Sequence, residues 1–208
     1  QDNKIRVREM TRKAIQTSTY VMAPMMMGLA FCAESIIRLV LTDKWIPCVP
    51  FMRIFCCTFM FYPIHTANLN AIKAMGRSDL FLKLEIVKKI VGLVLLFSTM
   101  WFGVMVMAYG LLVNSVLCQI INSWPNKKLL NYGYLEQMKD ILPGIMLAFL
   151  MGLCVSVINF FDFADIVTLM IQIPLGMVIF IGASALFHLE SFEYLKDIVI
   201  SIKNRKSA

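Results

Sequence analysis

Few residues in this chain have chemistry beyond dissolving in hydrocarbon, and their spacing singles them out. Glu34 and Arg38 stand four residues apart in an otherwise apolar run, so on a helix they share a face and can neutralise each other. Arg53 opens the next apolar run, and His65 follows Pro63 with Asn68 about a turn further on. Within a membrane such groups are costly and usually face a bundle interior or an aqueous cavity. The Arg53 guanidinium suits an anionic ligand, Glu34 lies deeper than Arg38, and His65 can titrate near neutral pH beside a kinked polar patch. Each has a plain structural alternative. Arg38 can snorkel to the interface, Arg53 can sit among headgroups, Glu34 can serve a purely structural ion pair, and His65 can be a hydrogen-bonded structural group. Asn114, Gln119 and Gln172 read as hydrogen bonders between helices, and Lys73 as a snorkelling cation. Nothing assembles into a reaction centre. There is no His-rich metal cluster, nucleophile elbow, phosphate-binding glycine loop or acidic pair, so neither an enzyme nor a cofactor or metal is expected.

The elements that must hold these residues follow from the solvent. Of 208 residues 59% are hydrophobic and 16% charged, against about 25% charged in a water-soluble domain. A bilayer is the better solvent. The net charge of +7 comes without an RNA- or DNA-binding signature, so nucleic acid is not an expected partner. Six cysteines, at 32, 48, 56, 57, 118 and 154, include no C-x-x-C pair; five fall inside apolar runs, and the set reads as reduced and structural. The chain begins at Gln1 without a signal-peptide pattern, which suggests a piece of a longer protein or a processed one.

A helix of about 20 apolar residues crosses about 30 Å of hydrocarbon. The expected architecture is therefore all-α and polytopic, with six transmembrane helices at about 15–41, 51–73, 86–102, 104–124, 141–161 and 166–189. A basic segment, 1–14, precedes this 15–189 membrane domain and a basic tail, 190–208, follows it. Ile90 to Asn126 is uncharged for 37 positions, too long for one crossing, and its natural break is Trp101-Phe102-Gly103. All of the 20 Lys and Arg residues except Arg38, Lys44 and Arg53 then fall on one side, with the acidic turn "FFDFAD" opposite. The positive-inside bias makes that side cytoplasmic, with both termini there. The stretch "MGRSDLFLKLEIVKK" becomes a cytoplasmic connector held to an anionic leaflet, its Phe81, Leu82, Leu84 and Ile86 dipping into the interface.

Gly144, Ala148, Gly152 and Ser156 recur every four residues, a stripe of small side chains that marks a helix–helix contact. Pro24, Pro63 and Pro174 lie within spans, where they can bend a helix either statically or as part of a moving element.

The runs "KWIPCVPFMRIF", "YPIHTANLNAIKAMGRSDLFLKLEIVKKIVGL" and "YGYLEQMKDILPGIMLAFLMG" resemble the C-terminal part of bacterial polysaccharide flippases. These are the O-antigen and capsule exporters of the multidrug/oligosaccharidyl-lipid/polysaccharide superfamily. The likeness runs from about Pro24 to Lys196, and its most specific element is Ala74-Met75-Gly76-Arg77-Ser78-Asp79. It implies a C-terminal portion of a two-lobed, MATE-like transporter in the bacterial inner membrane, acting in lipopolysaccharide or capsule biosynthesis. The implied partners are an undecaprenyl-diphosphate-linked oligosaccharide, membrane lipids and the missing N-terminal lobe. The implied activity is flipping of that lipid-linked oligosaccharide by alternating access. Arg53 and Arg38 become candidates for diphosphate or anionic-sugar attraction, Glu34 and His65 for gating or ion coupling, and Asn68 for the cavity lining. A drug exporter of the same superfamily and a non-transporting scaffold of a polysaccharide-synthesis complex are the competing readings.

Overall fold

A computed structural model describes residues 2–161 and 164–206. Among them the chain is helical throughout, with no strand. The helices are α1 (Asp2–Phe31), α2 (Ala33–Leu41), α3 (Val49–Met60), α4 (Tyr62–Ala74), α5 (Ser78–Thr99), α6 (Val104–Leu130), α7 (Tyr134–Ser156), α8 (Asp165–Leu186) and α9 (Glu190–Lys206). Short 3-10 turns cover Asp43–Cys48, Met100–Phe102 and Val157–Phe161. Asp162 and Phe163 of the expected acidic turn lie outside the described residues.

Four segments are long and apolar enough to cross a bilayer: Asp43–Ala74, Val104–Leu130, Tyr134–Phe161 and Asp165–Leu186. The α1–α2 pair makes a fifth, bent by 66°. The chain is an all-α, multi-pass membrane protein. Its surface is built for lipid, because Leu93, Val94, Phe97, Trp101, Phe102 and Val104 all stand exposed on the α5–α6 hairpin. The sixth expected crossing, 86–102, differs from the others. The uncharged part of α5 begins only at Ile90, and ten residues to Thr99 rise about 15 Å, half the hydrocarbon thickness. Lys88 is the one buried residue of α5, and it is ion-paired to Glu85.

Local chemistry explains several of the helix ends. At Gly76 (φ +70°) the Gly76 N–H bonds to the Lys73 carbonyl and the Arg77 N–H to the Ile72 carbonyl. This is a Schellman closure, which needs a residue free to turn left-handed. Arg77 then pairs with Asp79 in the first turn of α5, so the connector is only three residues long, Met75 to Arg77. The expected amphipathic lead-in is the start of α5 itself, and Lys73 lies over the Phe81 ring, 4.4 Å from its centroid. Gly103 (φ +97°) makes the α5–α6 turn at the expected break. Pro63 stands in the first turn of α4, where its missing N–H costs nothing.

A break between α3 and α4 falls at Phe61, next to Pro63, but the sharpest bend lies away from any proline. α1 runs through Pro24 and breaks eight residues later, at Cys32. Beyond it, α2 packs on α8.

α1 is the central helix, touching α3, α4, α7 and α9, with its broadest contact on α7. The small-residue stripe lies in that contact. Gly144 faces the Tyr20 ring and Ala148 is fully buried, while a Cβ at Gly152 would overlap the Phe31 ring. Ser156 closes α7, donating to the Leu153 carbonyl. Overpacked interfaces cost about 1–3 kcal/mol. Gly152→Leu should therefore lower the unfolding temperature in detergent by several degrees; an unchanged melt would mean that α1 and α7 do not meet there.

Candidate functional site

The structure sorts the five polar candidates into two groups, one at the α1–α2 break and one between α4 and α6. At the break, α1 ends and its last carbonyls lose their helical partners. The Arg53 guanidinium, carried by α3, donates from Nε to the Ala30 carbonyl at 3.3 Å. A cation thus sits at the negative end of the α1 dipole, as helix electrostatics favours. Glu34 lies in the first turn of α2 and accepts from Arg38 Nη2 at 2.7 Å. Arg38 also lies 3.8 Å from Asp43. Two carboxylates therefore hold Arg38. Arg53, by contrast, has no ion pair among the described residues and is exposed. Of the two arginines it is the one free to meet an anion.

The second group is a different kind of feature. Asn68 is fully buried and its amide is saturated. Its Nδ2 donates to Gln137 Oε1 at 2.8 Å and to Ser123 Oγ at 3.2 Å. Its Oδ1 accepts from Gln137 Nε2 at 2.9 Å and from Asn126 Nδ2 at 2.7 Å. Two donors and two lone pairs are the whole capacity of an asparagine side chain. Asn68 cannot contact a substrate without breaking this cluster; it binds α4 to α6 and α7. His65, one turn earlier, is half-buried, stacks on Tyr62 and has Nδ1 2.8 Å from the Asn122 amide. It shares its surroundings with the buried Lys88 and with Glu85.

Asn122, Ser123, Asn126 and Gln137 were not singled out in the sequence. The available signal was the run "NSWPN", which puts Asn122, Ser123 and Asn126 on one face of α6. Of the three expected helix-bridging amides, Gln172 does bridge, donating to the Val155 carbonyl at 3.2 Å and to Asn159 at 2.7 Å. Gln119 instead bonds within its own helix to Ser115, and Asn114 accepts from Cys118, also on α6. The six cysteines are free thiols.

A third polar feature joins the end of the bundle where α1 and α7 begin. Arg12 grips Asp140 with two bonds, 2.9 and 2.8 Å, and the Tyr132 hydroxyl donates to the same carboxylate at 2.7 Å. Tyr132 lies in the α6–α7 connector, 1% exposed. Burial first, then the bond to Asp140, pushes its phenol far above the usual range and keeps it a donor. Arg8 and Glu136 add a looser pair at 3.8 Å.

The comparisons with known proteins bear on the first group. Residues 1–50 match the model of a family described as polysaccharide biosynthesis protein. An uncharacterized membrane protein in the cps region of Klebsiella pneumoniae is 30% identical over 136 residues, 65% of this chain and 26% of that protein. The resemblance to polysaccharide biosynthesis proteins holds. The family match falls on α1, the Cys32 break, α2 and the turn after it. The chain spans about a quarter of the length of the Klebsiella relative. No solved structure matches.

Buried amides left unpaired cost about 1–3 kcal/mol each. Asn68→Ala and Gln137→Ala should each destabilise the chain by about that much in detergent unfolding, and the double variant by much less than the sum. Additive losses would show that the two side chains do not act as a unit. Tyr132→Phe removes a donor to a carboxylate and should cost roughly 1.5 kcal/mol; a loss within error would place Asp140 in water.

Proposed function

We propose that this chain is the C-terminal portion of an inner-membrane transporter that flips a lipid-linked oligosaccharide to the outer leaflet for surface polysaccharide assembly. The observation that carries the reading is the broken helix. It lies inside the segment that matches the polysaccharide biosynthesis family, and it leaves an exposed Arg53 beside freed carbonyls. Helices interrupted at membrane depth are tolerated where they line a cavity or bind a ligand. Arg53 is the anion-binding group in this reading, drawing the diphosphate or an acidic sugar. Glu34 and Arg38 form an exchangeable ion pair at the rim, opening to admit the anion and closing behind it. The remainder of the transporter supplies the other wall of the cavity. The basic connectors around Arg77 and Lys128 face the cytoplasm, as do both ends of this segment.

Complementation tests the reading. In a strain lacking the complete gene, the wild-type protein should restore surface polysaccharide. Arg53→Ala at equal membrane abundance should restore less than a tenth of it, and Arg53→Lys an intermediate amount. Wild-type polysaccharide from Arg53→Ala and Glu34→Ala alike would remove the break from the transport path.

A further inference from the structure

The ammonium of Lys88, 6% exposed, is the only buried charge on α5, and it is ion-paired to Glu85 one turn earlier on the same helix. Glu85 is more open and keeps contact with the surroundings. Buried ammonium groups in membrane helices are costly and mark bundle interiors. Opposite this pair stand His65 on α4 and Asn122 on α6, whose side chains meet at 2.8 Å. His65 feels the charges of both Lys88 and Glu85, and so does Cys118, one turn before Asn122. The groups around His65 are therefore few. α5 brings Lys88 and Glu85, α6 brings the neutral Asn122 amide and the Cys118 thiol, and α4 itself brings the stacked Tyr62 ring. Among the described residues no charged group of α1 or α3, which also pack on α4, acts on it.

The contact between His65 and Asn122 can accept a proton. Asn122 is fully buried, and its Nδ2 donates to His65 Nδ1, so the neutral ring carries its proton on Nε2. The Oδ1 of the same amide is sealed from solvent and has no hydrogen-bond partner. Turning the amide over by half a turn exchanges these two atoms in place. The idle carbonyl then faces Nδ1, where it can accept from an N–H. Both protonation states of His65 thus fit the same packed side chains. The charges fit only one of them. With His65 neutral, one ammonium faces one carboxylate; with His65 protonated, two cations share Glu85. Like charges repel strongly in low-dielectric surroundings, and a buried ammonium that loses its carboxylate is strongly destabilised. Lys88 lies in the charged first half of α5, beside Lys89, and its long stem can carry the ammonium back toward water. α4 packs far more broadly on α1 and α6 than on α5, so α5 is the helix that yields.

We propose that His65 and Asn122 form a proton-operated switch: a proton bound at His65 Nδ1 turns the Asn122 amide over, draws Glu85 from Lys88 and loosens α5 from α4. The proton comes from water, and the half-buried ring and the more open Glu85 lie on its way. No other bond is made or broken. The hold on α5 is present while His65 is neutral and is lost as the pH falls through its titration. The switch is separate from the α1–α2 break, and it stands whether or not the protein moves a glycan.

Hydrogen exchange read by mass spectrometry over the first part of α5, 78–92, tests the switch in the full-length protein in detergent. It is measured near pH 7.5 and near pH 5.5, on either side of the ordinary histidine range, with labelling times scaled for the chemical exchange rate. Wild-type α5 should open about tenfold more readily at the lower pH, with α7 unchanged. His65→Gln should abolish that difference, and His188→Gln should leave it intact. Lys88→Gln should abolish it as well, because protonated His65 then takes Glu85 without stranding a cation. Asn122→Asp sets a charged acceptor against Nδ1 and should move the transition up by roughly one pH unit or more. A wild-type α5 that ignores pH, a transition that survives in His65→Gln, or an unmoved midpoint in Asn122→Asp would each overturn the proposal. The comparison of wild type with His65→Gln decides the matter even where a substitution at 88 or 122 prevents folding.

Discussion

Hydrocarbon offers polar groups no partners, and the buried amide cluster of this fold answers that constraint. The amide of Asn68 meets its demand completely, using Gln137, Ser123 and Asn126 from two other helices. In water such a cluster would compete with solvent; in a membrane interior the alternatives are each other or nothing. Interhelical bonds in membranes are individually modest, about 0.6 kcal/mol on average. The specificity lies in saturation, since only one register of α4, α6 and α7 brings all four bonds together. Arg12, Tyr132 and Asp140 do the same work where α1, the α6–α7 connector and α7 meet near the bundle end.

At the α1–α2 break the same constraint falls on the backbone. A helix that stops within the apolar segment must find donors for its last carbonyls, and one of these is an exposed cation, Arg53. The two kinds of site differ in what they can do. A saturated, buried cluster fixes geometry. An exposed guanidinium on a freed carbonyl can exchange partners with little reorganisation, which is what transient capture of an anion requires.

Features set by a few neighbouring residues could be read from the sequence. The α5–α6 turn needs the positive φ of Gly103, and the uncharged run around it was too long for one helix. The small-residue stripe was visible because four-residue spacing fixes a face of α7 whatever the partner is. The break at Cys32 was not legible, because no proline or glycine marks it. It depends on contacts far away in sequence: Phe31 against Phe149 and Gly152, and Arg53 on Ala30. The amide cluster was hidden for the same reason. Asn68 bonds to partners 55, 58 and 69 residues away, and Gln137 lies in a stretch whose charges mark it as a connector. Charge placement also led the sequence reading to treat α5 like its neighbours, although its first half carries Lys83, Glu85, Lys88 and Lys89.

The hairpin of α5 and α6 is where the membrane account is most exposed, because α5 has only half the uncharged length of a crossing. Single cysteines at Arg77, Lys128 and Lys44, in a chain whose native cysteines are replaced, can be labelled with an impermeant maleimide in intact cells and again after lysis. The account predicts that positions 77 and 128 react only after lysis and that position 44 reacts in intact cells. Positions 77 and 128 on opposite faces of the membrane would contradict it.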